Sequence, residues 1–505
     1  MVGLSALAFL AVVASSLMTH TAGHSTRAAA RIYYGSDVWL ALINATPYRW
    51  KRGYRHSYQV KTWNEWPEYM VPGQSFEMLA RLDNDFGWHS AGEVQYHLEG
   101  TATPMGLQVE FRSGRGHPVH VRFLDTLETM NNARGSVHEL GNMGVPGGVG
   151  FLLAGSEEGG FVSNDGPQPW MRDSLPDIGN LTLRELAMPR THHSGMWKGV
   201  APIGVGRPRN TLAQADDLWN QLGNGGIRVL DVRATYIWHE FRASHVTDTG
   251  FFGWQGMIGA GIEEMIDVIN DFNDDFPGEL IIFDVHETAL RRSGLRFKEL
   301  GEDRTLKLYE LFKKLKHRLP VPDNEDLTTW PLERFIGNRS SAVLVRFHPD
   351  WLERAPDDFP GGAEGFVTSN QMPYLGRWSD TNLDEKMTRD QLSQMANIRQ
   401  KRSDMAFNAQ WILTQSTRQA VIASPSIIRL NAVTWRRLYH DLWNPLTDQS
   451  YPNWITVDGS HHNQLKALAM AINLCFGARK CGSLGGKVQG STVRDRYHAV
   501  EVAYT

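Results

Sequence analysis

Two patterns of apolar and polar positions divide the chain. From about Ile32 to Asn164 the runs are short: VWLALINAT, RHSYQVKTW, SFEMLARL, EVQYHLEG, LQVEFRSG and VHVRFLD, each bounded by Gly, Pro, Asn or Asp. Several alternate apolar with polar, and period-two alternation between closely spaced turns predicts strands of an antiparallel sandwich. GSEEGGFVSNDGPQPW follows as a Gly- and Pro-rich boundary.

Beyond it the period changes. TLAQADDLWNQLGNGG places Leu212, Ala215, Leu218, Trp219 and Leu222 on one helical face before a glycine stop. GIEEMIDVINDFNDDFPGE does the same with Ile262, Met265, Ile266, Ile269 and Phe272. Between and after them, GIRVLDVRA, LIIFDVHE, AVLVRFHP, QWILTQ and NWITVDGS read as buried strands. Strands alternating with helices imply a parallel sheet covered on both faces, and at this length a distorted TIM-type β/α barrel is the natural closure. The expected fold class is therefore α/β, preceded by an all-β sandwich. The expected organisation is a signal peptide over 1–23, a sandwich over 30–165, a linker over 166–177 and a barrel over 178–505.

Composition narrows this picture in three places. At 505 residues the chain can hold more than one core. A net charge of -4, with no basic stripe, gives no general attraction to nucleic acid. LSALAFLAVVASSLM followed by THTAGHS has the form of a signal-peptide core with a small-residue cleavage region, although no Lys or Arg precedes it, so a secreted, extracellular protein is expected. In that compartment Cys475 and Cys481 would pair. The sequons at Asn44, Asn180 and Asn338 would be glycosylation sites.

Candidate chemistry gathers at strand ends. His192 follows the first barrel strand, in PRTHHSG. Asp231 and Arg233 lie two apart near the end of RVLDVRA, so their side chains share a face. Asp284, His286 and Glu287 end LIIFDVHE, Arg346 ends AVLVRF, and Asp458 ends WITVD. In a barrel these ends converge on one mouth, where sites are built. Each residue also has a structural role open to it: a loop cap for His192, an ion pair for Asp231 and Arg233, a turn for Asp458, an exposed strand position for His245, and a core hydrogen bond for His286.

PRTHHSG, then NQLGNGGIRVLDVR, then ASHVT, and further on FPGELIIFDVHE and YPNWITVD, resemble the X domain of phosphatidylinositol-specific phospholipase C, in its secreted fungal type. The resemblance spans about residues 178–475. The N-terminal region is similar to the β-sandwich that precedes this domain in secreted fungal relatives, and more faintly to aegerolysin and actinoporin sandwiches.

The resemblance implies a phosphodiesterase acting on an inositol phospholipid or glycosylphosphatidylinositol head group. His192 would be the base, His245 the acid, Asp458 the partner that orients His192, Arg233 the phosphate ligand, and Asp231 its support. Arg346, His286 and Asp284 would contact substrate. Calcium-dependent relatives place carboxylates where this chain has Arg233, so no cofactor is expected; calcium held by Asp284 and Glu287 is the alternative. The expected partners are a phospholipid and, peripherally, a membrane, with oligomeric state left open. One departure stands out. The family has Asp or Asn directly after the first histidine, and this chain has His193, which leaves His245 without its carboxylate unless Asp248 or Asp231 replaces it. The departure keeps a second expectation open, a lipid- or glycan-binding protein on the same fold. A third, a metal-dependent hydrolase using His192, His193, Asp284 and His286, suffers from the divergence of adjacent histidine side chains.

Overall fold

Alternation along Asp37–Ala45 sets the first half of the structure, a computed structural model that describes residues 37–63, 66–82, 90–112, 118–141, 148–250, 253–291, 297–348 and 358–484. Val38, Leu40 and Leu42 point into one hydrophobic core, while Ala41, Ile43 and Ala45 point into another. Gly148–Ser156, its parallel neighbour, divides in the same way: Val149, Phe151 and Leu153 to one side, Leu152 and Ala154 to the other. A strand with apolar residues on both faces must be covered on both.

One face meets a second sheet. The five-stranded sheet runs Gly160–Ser163, Gly148–Ser156, Asp37–Ala45, Ser75–Leu82, Val60–Thr62. The six-stranded sheet runs Tyr69–Met70, Arg49–Tyr58, Ala91–Glu99, Met105–Arg112, Val119–Asp125, Val137–Leu140. Trp50, Trp63, Trp66, Tyr96 and Phe111 fill the layer between them. The other face lies on the helices Ile427–Arg437 and Gln464–Ile472 of the C-terminal half. Close approach there requires Gly150, where a Cβ would fall 2.3 Å from the Tyr439 ring. Residues 35–505 accordingly form one compact unit. The stretch 166–177 contributes most of the helix Trp170–Ile178, whose Trp170 is fully buried and donates to the Gly226 carbonyl.

In the C-terminal half eight parallel strands lie side by side. From one edge they are Phe366–Thr368, Ala342–Phe347, Leu280–Arg291 and Val229–Ile237. Met188–Thr191, Trp454–Val457, Ala406–Trp411 and Tyr374–Leu375 complete the row. The expected α/β class holds; among the described residues the two end strands do not pair, so the row of strands is not closed by a ladder. At one edge the Thr368 N–H donates to the Gln371 side chain, and in the segment between the two end strands the Met372 carbonyl accepts from Arg346 Nε.

Val229–Ile237 is a branch point. Its first residues pair with Met188–Thr191, and its last four pair antiparallel with Glu240–Asp248. That hairpin extends from the C-terminal end of the row and carries His245.

The helix Ile262–Asp275 forms as read, but TLAQADDLWNQLGNGG is helical only over Leu218–Gly223. Asp217 caps that turn by accepting from the Asn220 N–H, and Ala215 lies exposed before it. Cys475 and Cys481 form a disulfide. Asn180 and Asn338 are exposed. Asn44 is corrected as a glycan site: it is fully buried, and its amide donates to the carbonyls of Tyr48 and Met70. The expected signal peptide lies outside the described residues, and among those described no helix is long and apolar enough to cross a membrane.

Candidate active site

The site begins where Met188–Thr191 runs out. The His192 N–H donates to the Val457 carbonyl at 3.1 Å, which carries the ladder one residue past the strand. His193 then turns the chain with φ of 46°. Asp231 fixes that turn twice: its Oδ2 accepts the His193 N–H at 3.1 Å and its carbonyl accepts the Ser194 N–H at 2.8 Å. Gly195 lets the turn lie against the hairpin, since a Cβ there would fall 2.2 Å from the Ala243 Cβ. His192 and His245 are thereby brought to ring centroids 6.2 Å apart, with His193 in contact with both.

The His192 half is a histidine–carboxylate pair. Nδ1 lies 2.9 Å from Asp458 Oδ1, and the carboxylate accepts, so Nδ1 carries the hydrogen and Nε2 keeps its lone pair. Asp458 is itself held: Asn431 donates to its Oδ2 at 3.1 Å and Trp435 Nε1 to its carbonyl at 3.3 Å. Burial raises the Asp458 carboxyl above its ordinary range, and His192 opposes that rise.

Among the described residues no carboxylate bonds the His245 ring. His245 Nδ1 lies 2.7 Å from the Thr211 carbonyl, and its ring stacks on His193 at 3.9 Å between centroids. Burial first, then His192 and Arg233, push His245 down to about 3. Burial and the Arg233 charge press His193 well below the usual imidazole range as well. Neither Asp248 nor Asp231 bonds His245: Asp248 caps Gly250, and Asp231 serves the His193 turn.

Arg233 is the partly exposed cation of the site, with Nη1 3.5 Å from Glu287 Oε2. A bulge opposite it leaves Arg233 paired with Glu287 and skips His286, which is exposed at the rim.

Beneath lies a charged floor. Asp284, fully buried, accepts from Arg190 at 2.9 Å and from Arg346 at 2.6 Å, so both its oxygens are engaged. Burial acts against it, but the two guanidinium groups hold its carboxyl below the usual range. Arg190 also approaches Asp231 at 3.5 Å, and Asp231 is likewise held low by that charge against the effect of burial. Arg346 lies over the Tyr374 ring at 4.8 Å.

His192, Asp458, Arg233, His245, Asp231 and His286 therefore form one cluster whose charges act on one another. Asp284 and Arg346, expected to contact substrate, are corrected: both are buried, and each is spent in an ion pair. Sequence reasoning missed Arg190, Thr211, Gln214 and Asn431. Arg190 had a signal, since it stands two residues before His192 on the same strand. The Gln214 amide donates to the His192 carbonyl from an irregular loop, which no periodicity announces. Among the described residues no group of three or more His, Cys, Asp or Glu is arranged to hold a metal ion.

No protein-family profile and no curated protein matches the chain. Among solved structures it is similar to phosphatidylinositol-specific phospholipase C from Staphylococcus aureus. For one variant the identity is 12% and the TM-score 0.40, over 61% of this chain and 97% of that one. For a second variant they are 12% and 0.39, over 60% and 96%. A pentafluoro-Phe form gives 14% and 0.39, over 60% and 97%. Likeness at this level leaves the assignment of function to the geometry of the site itself.

Proposed function

We propose that the protein is a phosphodiesterase in which a hydroxyl next to the phosphorus attacks it, as an inositol phospholipid or glycosylphosphatidylinositol head group allows. The observation that carries this reading is the His192–Asp458 pair, which leaves Nε2 of a partly exposed ring as the lone-pair nitrogen, with the His245 ring 6.2 Å away and the Arg233 charge acting on the same cluster. Nε2 takes the proton of the attacking hydroxyl, and Asp458 stabilises the imidazolium that results. Arg233 offers a fork of donors to the phosphoryl oxygens as their charge grows. Asp231 acts through the turn it holds. No metal enters this scheme, because the guanidinium supplies the positive charge.

A lipid surface suits the rim. The segments after the Met188–Thr191, Tyr374–Leu375 and Ala406–Trp411 strands, which include the helix Thr417–Ile422, expose Val200, Val205, Leu383 and Ile422 and also Arg207, Arg209 and Arg418. These segments are tied together: Asn210 donates to the Ala420 carbonyl at 3.0 Å, and Asn382 to Gln419 at 3.2 Å. Exposed apolar side chains and cations fit peripheral contact with an anionic membrane. Export through the secretory route belongs to the same reading.

The test is turnover of phosphatidylinositol vesicles by purified protein with and without EDTA. Turnover that survives the chelator and disappears in His192→Ala is expected. Loss of turnover to EDTA would overturn the metal-free scheme. A second reading, binding without turnover, draws on one observation: among the described residues no carboxylate bonds His245. Vesicle binding by a protein inert on every diester would favour it.

A further inference from the structure

The two imidazoles of the site are not in equivalent states, and the reason lies in their Nδ1 partners. A backbone carbonyl only accepts, so at 2.7 Å from the Thr211 oxygen His245 Nδ1 must carry a hydrogen. The neutral ring then presents a lone pair at Nε2 and has no proton to give there. A second proton would need a counter-charge, and the neighbour in that place is the His193 ring, 2% exposed and stacked at an interplanar angle of 22°. Neither nitrogen of His193 has a hydrogen-bond partner among the described residues. No nearby carboxylate bonds the His245 ring: Asp458 serves His192 and Asn431, while Asp231 takes the His193 N–H on Oδ2 and faces Arg190 at 3.5 Å on Oδ1, so that its charge acts on His245 only through space and is outweighed by burial, His192 and Arg233. The charge of Arg233, which also acts on the ring, is of the wrong sign for an imidazolium.

Resting on the phosphodiesterase reading above, we propose that His193 withholds the leaving-group proton and so makes the site selective for diesters whose leaving oxygen is acidic. The attacking oxygen bonds to phosphorus as its proton passes to His192 Nε2. The bond from phosphorus to the leaving oxygen breaks, and that oxygen keeps the electron pair. It departs as an anion and takes its proton afterwards from water. An aryl or enol oxygen bears that charge readily, whereas an alkyl oxygen does so poorly. His193 is thus a positioning residue that sets specificity through His245.

The test compares two inositol phosphodiesters, one with a para-nitrophenyl and one with an n-alkyl leaving group, on wild type, His193→Asp, His245→Ala and His192→Ala. Asp is suited to the left-handed backbone at this position. A positioned general acid is worth about 10²–10⁴-fold. The alkyl ester should therefore gain by about that factor in His193→Asp while the aryl ester changes little, and the gain should vanish as the new acid deprotonates at high pH. Should His193→Asp fail to fold, His245→Ala decides: it should lower both esters by one common factor. A selective loss of the alkyl ester in His245→Ala would show that His245 already donates the proton, and would overturn the proposal. Failure of the function itself looks different, namely no turnover of either ester or undiminished aryl turnover in His192→Ala.

Discussion

The two sides of the mouth solve the burial of an imidazole in opposite ways. On the His192 side a carboxylate fixes the ring, and Asn431 and Trp435 fix the carboxylate, so a proton arriving at Nε2 meets negative charge. On the His245 side a carbonyl fixes the ring and a second neutral ring covers its face, so an arriving proton meets no bonded carboxylate, and the charge of Asp231 is outweighed by burial and by Arg233. Both rings are held within hydrogen-bonding distance of a partner, yet only one can change charge cheaply. Geometry alone would call them a matched pair. The chemistry of the partner decides which of them can act as a base.

The sharpest way to break this comparison is to remove the charge on the His192 side. Asp458→Asn keeps the shape of the site but loses the countercharge, and activity should fall by about 10²–10⁴-fold in a steady-state assay. Arg233→Ala should lower kcat by about 10²–10³-fold through lost stabilisation of phosphoryl charge. An equal thermal stability in both variants would keep these effects on the chemistry.

The floor should respond in the reverse sense. Asp284 neutralises two buried arginines, so Asp284→Ala should cost about 3–5 kcal/mol in denaturant unfolding, as expected for breaking a buried pair. Full stability in that variant would contradict the role given to Asp284 here.

Acid should weaken the neutral side. His245 and His461 are both pushed down to about 3, chiefly by burial, and His193 also lies well below its ordinary 6.5. Their folded pKa values are depressed, so between pH 6.5 and about 3 the unfolded chain binds protons that the native chain does not. Their contribution to stability is complete above pH 6.5 and is lost as pH falls toward 3. The denaturant midpoint should fall through that window, less steeply in His193→Asn. Asp458 and Glu279, raised by burial, add a slope of the opposite sign.

The smallest effect belongs to the rim. Ile422→Asp or Val205→Asp should weaken partition onto anionic vesicles by about 1–3 kcal/mol without changing turnover of a soluble diester.

Much of this was legible in the sequence. Alternation gave the sandwich strands, strand-end position marked Asp458, and a two-residue spacing placed Asp231 and Arg233 together. The strand of that pair runs on to Ile237, and that of Asp284, His286 and Glu287 to Arg291, so these five are not at strand ends. Other features depend on contacts that no local pattern encodes. The two end strands are only three and two residues long, and nothing in the local pattern says whether they pair. Asn44 sits in a sequon but is consumed by two carbonyls of the sandwich. The partner of His245 is a backbone oxygen, which any residue at position 211 could supply, so only the fold reveals it.

The central claim is that His192, paired with Asp458, is the base that starts phosphodiester cleavage. Phosphorus NMR of phosphatidylinositol with the purified protein tests it most directly. A slow conversion to a cyclic phosphate, present in the wild type and absent in His192→Ala, is the predicted result. A cyclic product formed equally well by His192→Ala would contradict it.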